Sequence, residues 1–397
     1  MNATLDLQPL HDREMRLLVH CARATVEPER AEQIRQLAAG ELDWERLLKL
    51  AERNGLRPLL YWHLSRICAA SVPAVTFEFL RDYFRKNSAF SLLLTGELLR
   101  LLTMLNDRGV EAVPFKGPAM AVKLYGHVAL RQFCDLDILV RAHDVWRASQ
   151  LIEEQGFEPQ YRIPKERRAA FVRQDYVQMF HRDGRRTVVE LHWGIAERSF
   201  AVPFAADSVW ARLESMTVQG QTMSVPCAED LLLMLCVHGS RHGWDKLEGL
   251  ASLAALMRCK ADFDWPYVWR RAREMRCRRM LAFALCLAHG LFDAPLPPEA
   301  AALSESRAFP AMAGRVVRDF YVDVVESRTP ARQAALHVGL KDSYADCARY
   351  WAGLVLTVTP DDWAAVRLRG PLSLGYPLVR AIRVARKHGL NHSGGFQ

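Results

Sequence analysis

The spacing of apolar residues divides the chain into a helical beginning, a central region with strands and a helical end. Apolar residues recur at helical spacing over residues 42–54 and over 77–108, where a dense run of leucines predicts a buried helix. Helical spacing resumes at residue 229 and predicts helices over 230–238, 246–257, 265–276 and 279–291. A further helix is predicted over 314–326, weaker segments follow around 344–358, and residues 378–387 form a basic end.

The central region has the short apolar runs that are typical of β-strands. It predicts a strand over 110–115, a turn at Gly117 and a short helix that runs to about Tyr125. Three more strands are predicted at 133–140, 176–181 and 187–193, and a helix at 142–155. A hairpin turn at 182–185 joins the last two strands. The sequence therefore predicts an α+β fold, with a small mixed sheet and helices flanked by N- and C-terminal helical regions.

These changes of pattern divide the chain into four regions. We expect an N-terminal helical region at 1–108, an α+β core at 109–226, a helical region that packs on the core at 227–294 and a C-terminal helical region at 295–397. The last boundary follows from a proline-rich break at 295–298. A chain of 397 residues is long enough for two or three domains with their own cores.

Composition narrows the class of protein without naming a function. Half of the residues are hydrophobic and a quarter are charged, which is ordinary for a soluble globular protein. The net charge of +8 suits an anionic ligand or nucleic acid, although a solvated surface of Arg-rich helices is the simpler explanation. Nine cysteines are scattered without a C-x-x-C pair, which excludes a zinc ribbon and a thioredoxin-type motif.

Targeting signals are also missing from the patterns we find. The first residues include early acids and no apolar segment of the secretory kind, and an odd number of cysteines fits a reducing compartment. The longest uninterrupted apolar runs, at 230–237 and 280–292, are shorter than the roughly 20 residues that span a bilayer. We therefore expect a soluble, cytoplasmic protein with no membrane partner.

Two aspartates on one predicted strand give the first indication of chemistry. Asp135 and Asp137 are one residue apart, so their side chains project from the same face of the strand. Carboxylates that close repel each other, and neither can be buried without a partner. A divalent cation is the simplest neutraliser, and two carboxylates with substrate phosphates form a typical Mg²⁺ site.

A lysine–glycine turn and a third carboxylate extend this pattern. Gly117 lets the backbone approach a phosphate closely, and the helix that follows offers its free N–H groups to the anion. Lys116 adds a positive charge. Glu190 and His192 share one face of a later strand, so a third acid can join the first two. Such residues are the equipment for phosphoryl or nucleotidyl transfer.

These motifs resemble the nucleotidyltransferase superfamily typified by DNA polymerase β. Its signature is a strand, a glycine turn, a helix and an acid-x-acid strand, followed by a third acid. The closer resemblance is to a bacterial family of uncharacterised nucleotidyltransferases, and it rests on Lys116-Gly117, Tyr125-Gly126, Arg131, DLDILV and VELHW. The segment from His238 to Leu247 is also similar to that family, whereas Ser252 stands where its pattern has an aspartate.

The resemblance implies a polymerase-β-like nucleotidyltransferase core with a catalytic metal site. Asp135, Asp137 and Glu190 would be the catalytic acids and the metal ligands, and Glu190 would also act as the base for the acceptor hydroxyl. Mg²⁺ is the expected cofactor, with Mn²⁺ as the alternative. For each acid, an ordinary solvent-facing strand position is the competing interpretation.

The resemblance also implies a nucleotide site beside the metal. Lys116 and Gly117 would hold the β- and γ-phosphates, and Arg131 and His192 would complete the nucleotide-binding set. Arg131 could instead pair with Asp135 or with a helix end. His192 could orient Glu190 or form a structural hydrogen bond.

Three basic residues share one face of a later helix. His238, Arg241 and His242 lie at positions i, i+3 and i+4. The two histidines have the spacing of a metal pair, but Gly239 replaces the glutamate of H-E-x-x-H, which argues against a zinc protease. We interpret them as facing the acceptor or a phosphate, and structural histidines are the alternative.

The leading hypothesis is a Mg²⁺-dependent nucleotidyltransferase. It would transfer a nucleoside monophosphate from an NTP to a hydroxyl or phosphate acceptor, small or macromolecular, with release of pyrophosphate. The alternative is a non-catalytic nucleotide- or RNA-binding module that keeps the fold, and retention of all three acids argues against it. Nucleic acid is not the favoured partner, and a purely helical scaffold would require the central strands to be coincidental.

Overall fold

A five-stranded mixed sheet lies at the centre of the computed structural model, which describes residues 12–184, 186–204, 206–260, 262–304, 308–322, 329–366 and 375–389. Its strands are β1 (Ala112–Pro114), β2 (Asp135–Val140), β3 (Glu158–Pro159), β4 (Val177–Arg182) and β5 (Thr187–His192). Their order is β1-β2-β5-β4-β3, and β2 and β5 are parallel while the other neighbours are antiparallel. The predicted α+β fold with a small mixed sheet is confirmed.

Helices precede, connect and follow the strands along the described part of the chain. In chain order they are α1 (Arg13–Cys21), α2 (Pro28–Ala38), α3 (Trp44–Arg53), α4 (Arg57–Ile67), α5 (Ala74–Asp107), α6 (Gly117–Tyr125), α7 (Val145–Glu153), α8 (Arg168–Gln174), α9 (Ala206–Trp210), α10 (Ala228–His242), α11 (Leu247–Cys259), α12 (Trp265–Glu274), α13 (Arg278–Phe292), α14 (Pro298–Ser304), α15 (Ala308–Asp319), α16 (Pro330–Gly339), α17 (Tyr344–Leu356), α18 (Pro360–Ala365) and α19 (Tyr376–Gly389).

The two faces of β2 belong to different cores. Leu136, Ile138 and Val140 pack in one core with apolar residues of α5 and α7. Leu139, on the opposite face, belongs to a second core that the helices of the first hundred residues share with α10, α11 and α13. Asp135 and Asp137 lie on the Leu139 face because side chains alternate along a strand. The alternation therefore directs both acids toward the flanking helices α10 and α11.

Most predicted elements are present, with shifted ends. The helix predicted over 314–326 is α15, which starts earlier because Phe309 already begins the buried helical stripe. Residues 323–328 lie outside the described part of the chain, as do residue 185 of the predicted hairpin turn and residues 1–11 of the segment searched for a signal.

A second, two-stranded sheet was not predicted. It consists of β6 (Leu213–Val218) and β7 (Gln221–Pro226), joined by Gln219 and Gly220, which both have positive φ. Most residues of this hairpin are exposed or half-buried, so it lacks the apolar alternation that reveals a strand.

The long helix α5 corrects the expectation that no segment could span a bilayer. It has 34 residues and a window with a mean hydropathy of 1.4, so its length and composition allow a membrane crossing. Uninterrupted apolar runs missed it because the window includes charged residues. Within the fold 44% of that window is buried, and a core helix of a soluble protein meets the same criterion.

A close contact joins α17 to the central region, and it generates a stability prediction. A Cβ atom on Gly353 would lie 2.8 Å from the Cα and 2.9 Å from the carbonyl oxygen of Ser199. Gly353→Ala should therefore lower the free energy of unfolding by about 1–3 kcal/mol in urea denaturation, because backbone must move. Gly96→Ala is the matched control, since nothing lies within 4 Å of that position, and should stabilise α5 by about 0.5–1 kcal/mol. Equal stabilisation by both substitutions would contradict the tight contact.

Candidate active site

Two acids and a histidine from neighbouring strands meet at the centre of the sheet. The parallel register places Asp137 of β2 beside Glu190 of β5. His192 Nε2 lies 3.2 Å from Asp137 Oδ1 and 3.2 Å from Glu190 Oε2. The candidate ligand atoms of these three residues lie within 4.8 Å of one another. Asp135 is not part of this close group, although it lies on the same face of β2.

Lys116 completes the cluster from the turn before α6. Its Nζ donates a hydrogen bond to Asp137 Oδ1 over 2.7 Å, and both side chains are buried. Gly117, the first residue of α6, has a φ of +55°, and a Cβ atom there would lie 3.2 Å from the carbonyl oxygen of Asp135. Because residue 117 has no Cβ, the turn passes close to β2. The first residues of α6, with their free backbone N–H groups, therefore lie beside the acids.

The surroundings of Asp135 and Asp137 shift the pKa values of the two carboxyls in opposite directions. Burial raises the pKa of Asp135 to about 6, and the charges of Asp137 and Glu190 act in the same direction. Burial would also raise the pKa of Asp137, but Lys116 and His192 outweigh it and hold that pKa below its ordinary value. Asp137 is therefore the permanently charged acid of the pair.

The imidazole of His192 lies within hydrogen-bonding distance of both carboxylates, Asp137 and Glu190. Burial would lower its pKa, but hydrogen bonds to Asp137 and Glu190 outweigh burial and raise it. The Phe115 ring meets the imidazole edge-on at a centroid distance of 5.0 Å and fixes its orientation. The contact between His192 and Glu190 is present, and the role of His192 in orienting that carboxylate stays a prediction.

A cavity of about 460 Å³ joins the acids to the flanking helices. It lies between the sheet and helices α10 and α11, and its volume is that of a small-molecule site. Nine of the predicted site residues line it, namely Lys116, Arg131, Asp135, Asp137, Glu190, His192, His238, Arg241 and His242. The tenth, Gly117, directly follows Lys116.

Arg131 has a carboxylate partner inside the cavity. Its Nε donates to Glu248 Oε1 on α11 over 2.5 Å. Ser252 Oγ donates to the same oxygen over 2.8 Å, and Tyr125 OH lies 3.4 Å from Ser252 Oγ. Ser252, the departure from the family pattern, therefore keeps a polar role in α11.

The basic face of α10 forms the opposite wall of the cavity. Burial lowers the pKa of His238 well below its ordinary value, and the charge of Lys116 acts in the same direction, so the ring is neutral. Its ring centroid lies 4.5 Å from that of His242. Arg241 pairs with Glu197 over 3.3 Å and lies over the ring of Tyr176. The two histidines are neighbours, as their spacing predicts.

Several residues that shape the cavity were not predicted. Glu248 and Tyr176 line it, and so do Trp244 and Lys246. Trp244 is a fixed position of the motif at 238–247, so the motif carried a signal for it, whereas Lys246 stands at a variable position of that motif. Glu248 directly follows the motif, whereas Tyr176 has no sequence signal of its own.

The donor set fits a divalent cation. Asp137 and Glu190 offer charged oxygen ligands in direct proximity, and Asp135 adds a third carboxylate to the same cavity. Oxygen donors of this kind suit Mg²⁺ and Mn²⁺. Together with Lys116 and the start of α6, the acids can hold a cation and a phosphate chain side by side.

Comparison with known proteins assigns the chain to a family. Residues 40–293 match the model of a family described as uncharacterised nucleotidyltransferase. This segment is well over half of the chain and contains every residue that lines the cavity. No curated protein and no solved structure gives a significant match. The chain belongs to this family of nucleotidyltransferases, which are enzymes that transfer phosphorus-containing groups.

Proposed function

We propose that the enzyme is a Mg²⁺-dependent nucleotidyltransferase of the polymerase-β-like superfamily. It transfers a nucleoside monophosphate from an NTP to a hydroxyl or phosphate acceptor and releases pyrophosphate. The scattered free cysteines favour the reducing cytoplasm, and the motifs favour a bacterial source.

One observation supports this proposal above the others. The parallel pairing of β2 with β5 brings Asp137 beside Glu190, inside a cavity that also contains Lys116. Burying a charge costs roughly several kcal/mol unless the charge is paired. Acids at the centre of a sheet are therefore better explained by binding of a cation than by a role in folding.

In this mechanism the polar residues of β2 and β5 bind the cation, hold the carboxylates in place and accept a proton. Asp135, Asp137 and Glu190 hold the cation, which when bound neutralises phosphate charge and polarises the reacting oxygen. His192 keeps the carboxylates of Asp137 and Glu190 in place through its hydrogen bonds. Glu190 accepts the proton of the acceptor hydroxyl as that oxygen attacks the α-phosphorus. The bond from the α-phosphorus to the bridging oxygen then breaks, and pyrophosphate leaves with its electron pair.

The residues around the turn bind the phosphates. Lys116 exchanges its contact with Asp137 for the β- and γ-phosphates, and Gly117 exposes the backbone N–H groups of α6 to them. Arg131 contributes a second positive charge to the cavity. His238, Arg241 and His242 form the wall that faces the acceptor or its phosphate.

The first prediction concerns the central acid. Asp137→Asn should reduce pyrophosphate release from Mg²⁺ and each NTP at least about a hundredfold, because it removes the permanently charged ligand. Circular dichroism and thermal denaturation should show an intact fold. Asp207→Asn, which alters an exposed aspartate beside Arg141, should retain full activity. Equal turnover by the two variants would contradict the proposal.

A second prediction separates two lysines. Lys116→Met should raise the KM for the NTP by about tenfold or more, because a charge-assisted contact to phosphate is lost. Lys123→Met is the matched control, since Lys123 bonds Glu214 outside the cavity, and it should leave KM unchanged. Steady-state kinetics with varied NTP distinguishes them, and an unchanged KM in Lys116→Met would exclude the phosphate role.

The non-catalytic alternative predicts different binding behaviour. Nucleotide affinity that is indifferent to Mg²⁺ and to Asp137→Asn would favour a binding module. Tight RNA binding with a steep dependence on salt would favour an RNA-binding module in particular. Metal-dependent nucleotide binding that Asp137→Asn abolishes favours the enzyme.

A further inference from the structure

The side chains of Tyr125, Ser252 and Glu248 form a hydrogen-bonded row that ends at Arg131. We infer that Glu248 is a positioning residue, which holds Arg131 in the geometry that binds the triphosphate. This inference rests on the proposed function, because it assigns a role within the same nucleotide site.

The contact between Glu248 and Arg131 leaves the phosphate-binding atoms of the guanidinium available. Glu248 accepts from Nε, and neither terminal nitrogen of Arg131 has a hydrogen-bond partner among the described residues. Arg131 lines the same cavity as Asp135 and Lys116. A guanidinium fixed through Nε offers its terminal N–H groups to an anion in one orientation.

Ser252 supports Glu248 without adding charge. The hydroxyl donates to Glu248 Oε1 over 2.8 Å, the same oxygen that receives Arg131. An aspartate at 252 would instead place a second negative charge beside the first. With serine, one carboxylate faces one guanidinium.

Tyr125 connects this row to the turn at the other end of α6. It is the last residue of α6, whose first residue is Gly117, and its hydroxyl lies 3.4 Å from Ser252 Oγ. Helix α11 therefore contacts the helix that carries the phosphate turn and also holds the arginine that precedes β2. The row thus links the helix that follows Lys116 to the arginine at position 131.

The test is a double-mutant cycle read out by phosphate binding. The probe is inorganic tripolyphosphate with Mg²⁺, which carries phosphates without a base, and its affinity for the full-length protein is measured by calorimetry. Glu248→Gln should weaken binding by about tenfold, because loss of the charged partner lets Arg131 reorient. In the Arg131→Ala background the same change should have an effect of less than about twofold, since Glu248 acts only through Arg131.

Control variants separate positioning from general damage. Glu214→Gln removes an ion pair with Lys123 outside the cavity and should leave affinity unchanged. Ser252→Ala should weaken binding by about two- to fivefold, and Ser252→Thr, which keeps the hydroxyl, should restore it. Melting temperatures of Glu248→Gln and the wild type should agree within about 2 °C.

Each failure has its own meaning. Equal losses from Glu248→Gln in both backgrounds, or no loss at all, would overturn the positioning role while wild-type binding upholds the proposed function. A wild-type protein that does not bind Mg²⁺ and tripolyphosphate would overturn the proposed function, and the positioning role with it.

Discussion

The adjacency of Asp137 and Glu190 on parallel strands is the constraint that the rest of the site satisfies. Neighbouring strands lie about 4.8 Å apart, so two acids in register repel each other strongly in a buried place. Lys116 and His192 offset this repulsion, since each lies within hydrogen-bonding distance of Asp137. The glycine at 117 then follows, because only a close turn delivers Lys116 to the buried carboxylate.

The helices around the sheet close the site. The face of β2 that carries the acids points toward α10 and α11, and those helices share a core with α1–α4. Asn54 bonds the backbone N–H of Leu247 at the start of α11, which ties the early helices to the cavity wall. The family match over residues 40–293 accordingly includes the sheet and the helices on both sides. The cavity therefore depends on contacts between segments about two hundred residues apart in the chain.

Local patterns made much of this predictable. The alternation in β2, the Lys116-Gly117 turn and the face shared by Glu190 and His192 each follow from a few consecutive residues, so the strands and the faces that carry the acids could be predicted. That these faces meet was implied by the family resemblance. Pairings across the fold could not. Arg131 gave no sign that Glu248 would be its partner, because 117 residues separate them and both types are common on surfaces. The β6–β7 hairpin was missed because most of its side chains face solvent.

The most direct measurement is a crystal structure grown with Mn²⁺ and a non-hydrolysable NTP, with anomalous scattering used to locate the metal. We predict an anomalous peak in contact with Asp137 and Glu190, and phosphates in contact with Lys116 and the start of α6. A nucleotide bound elsewhere, or a peak away from these acids, would contradict the central claim that their pairing in the sheet builds a metal–nucleotide site.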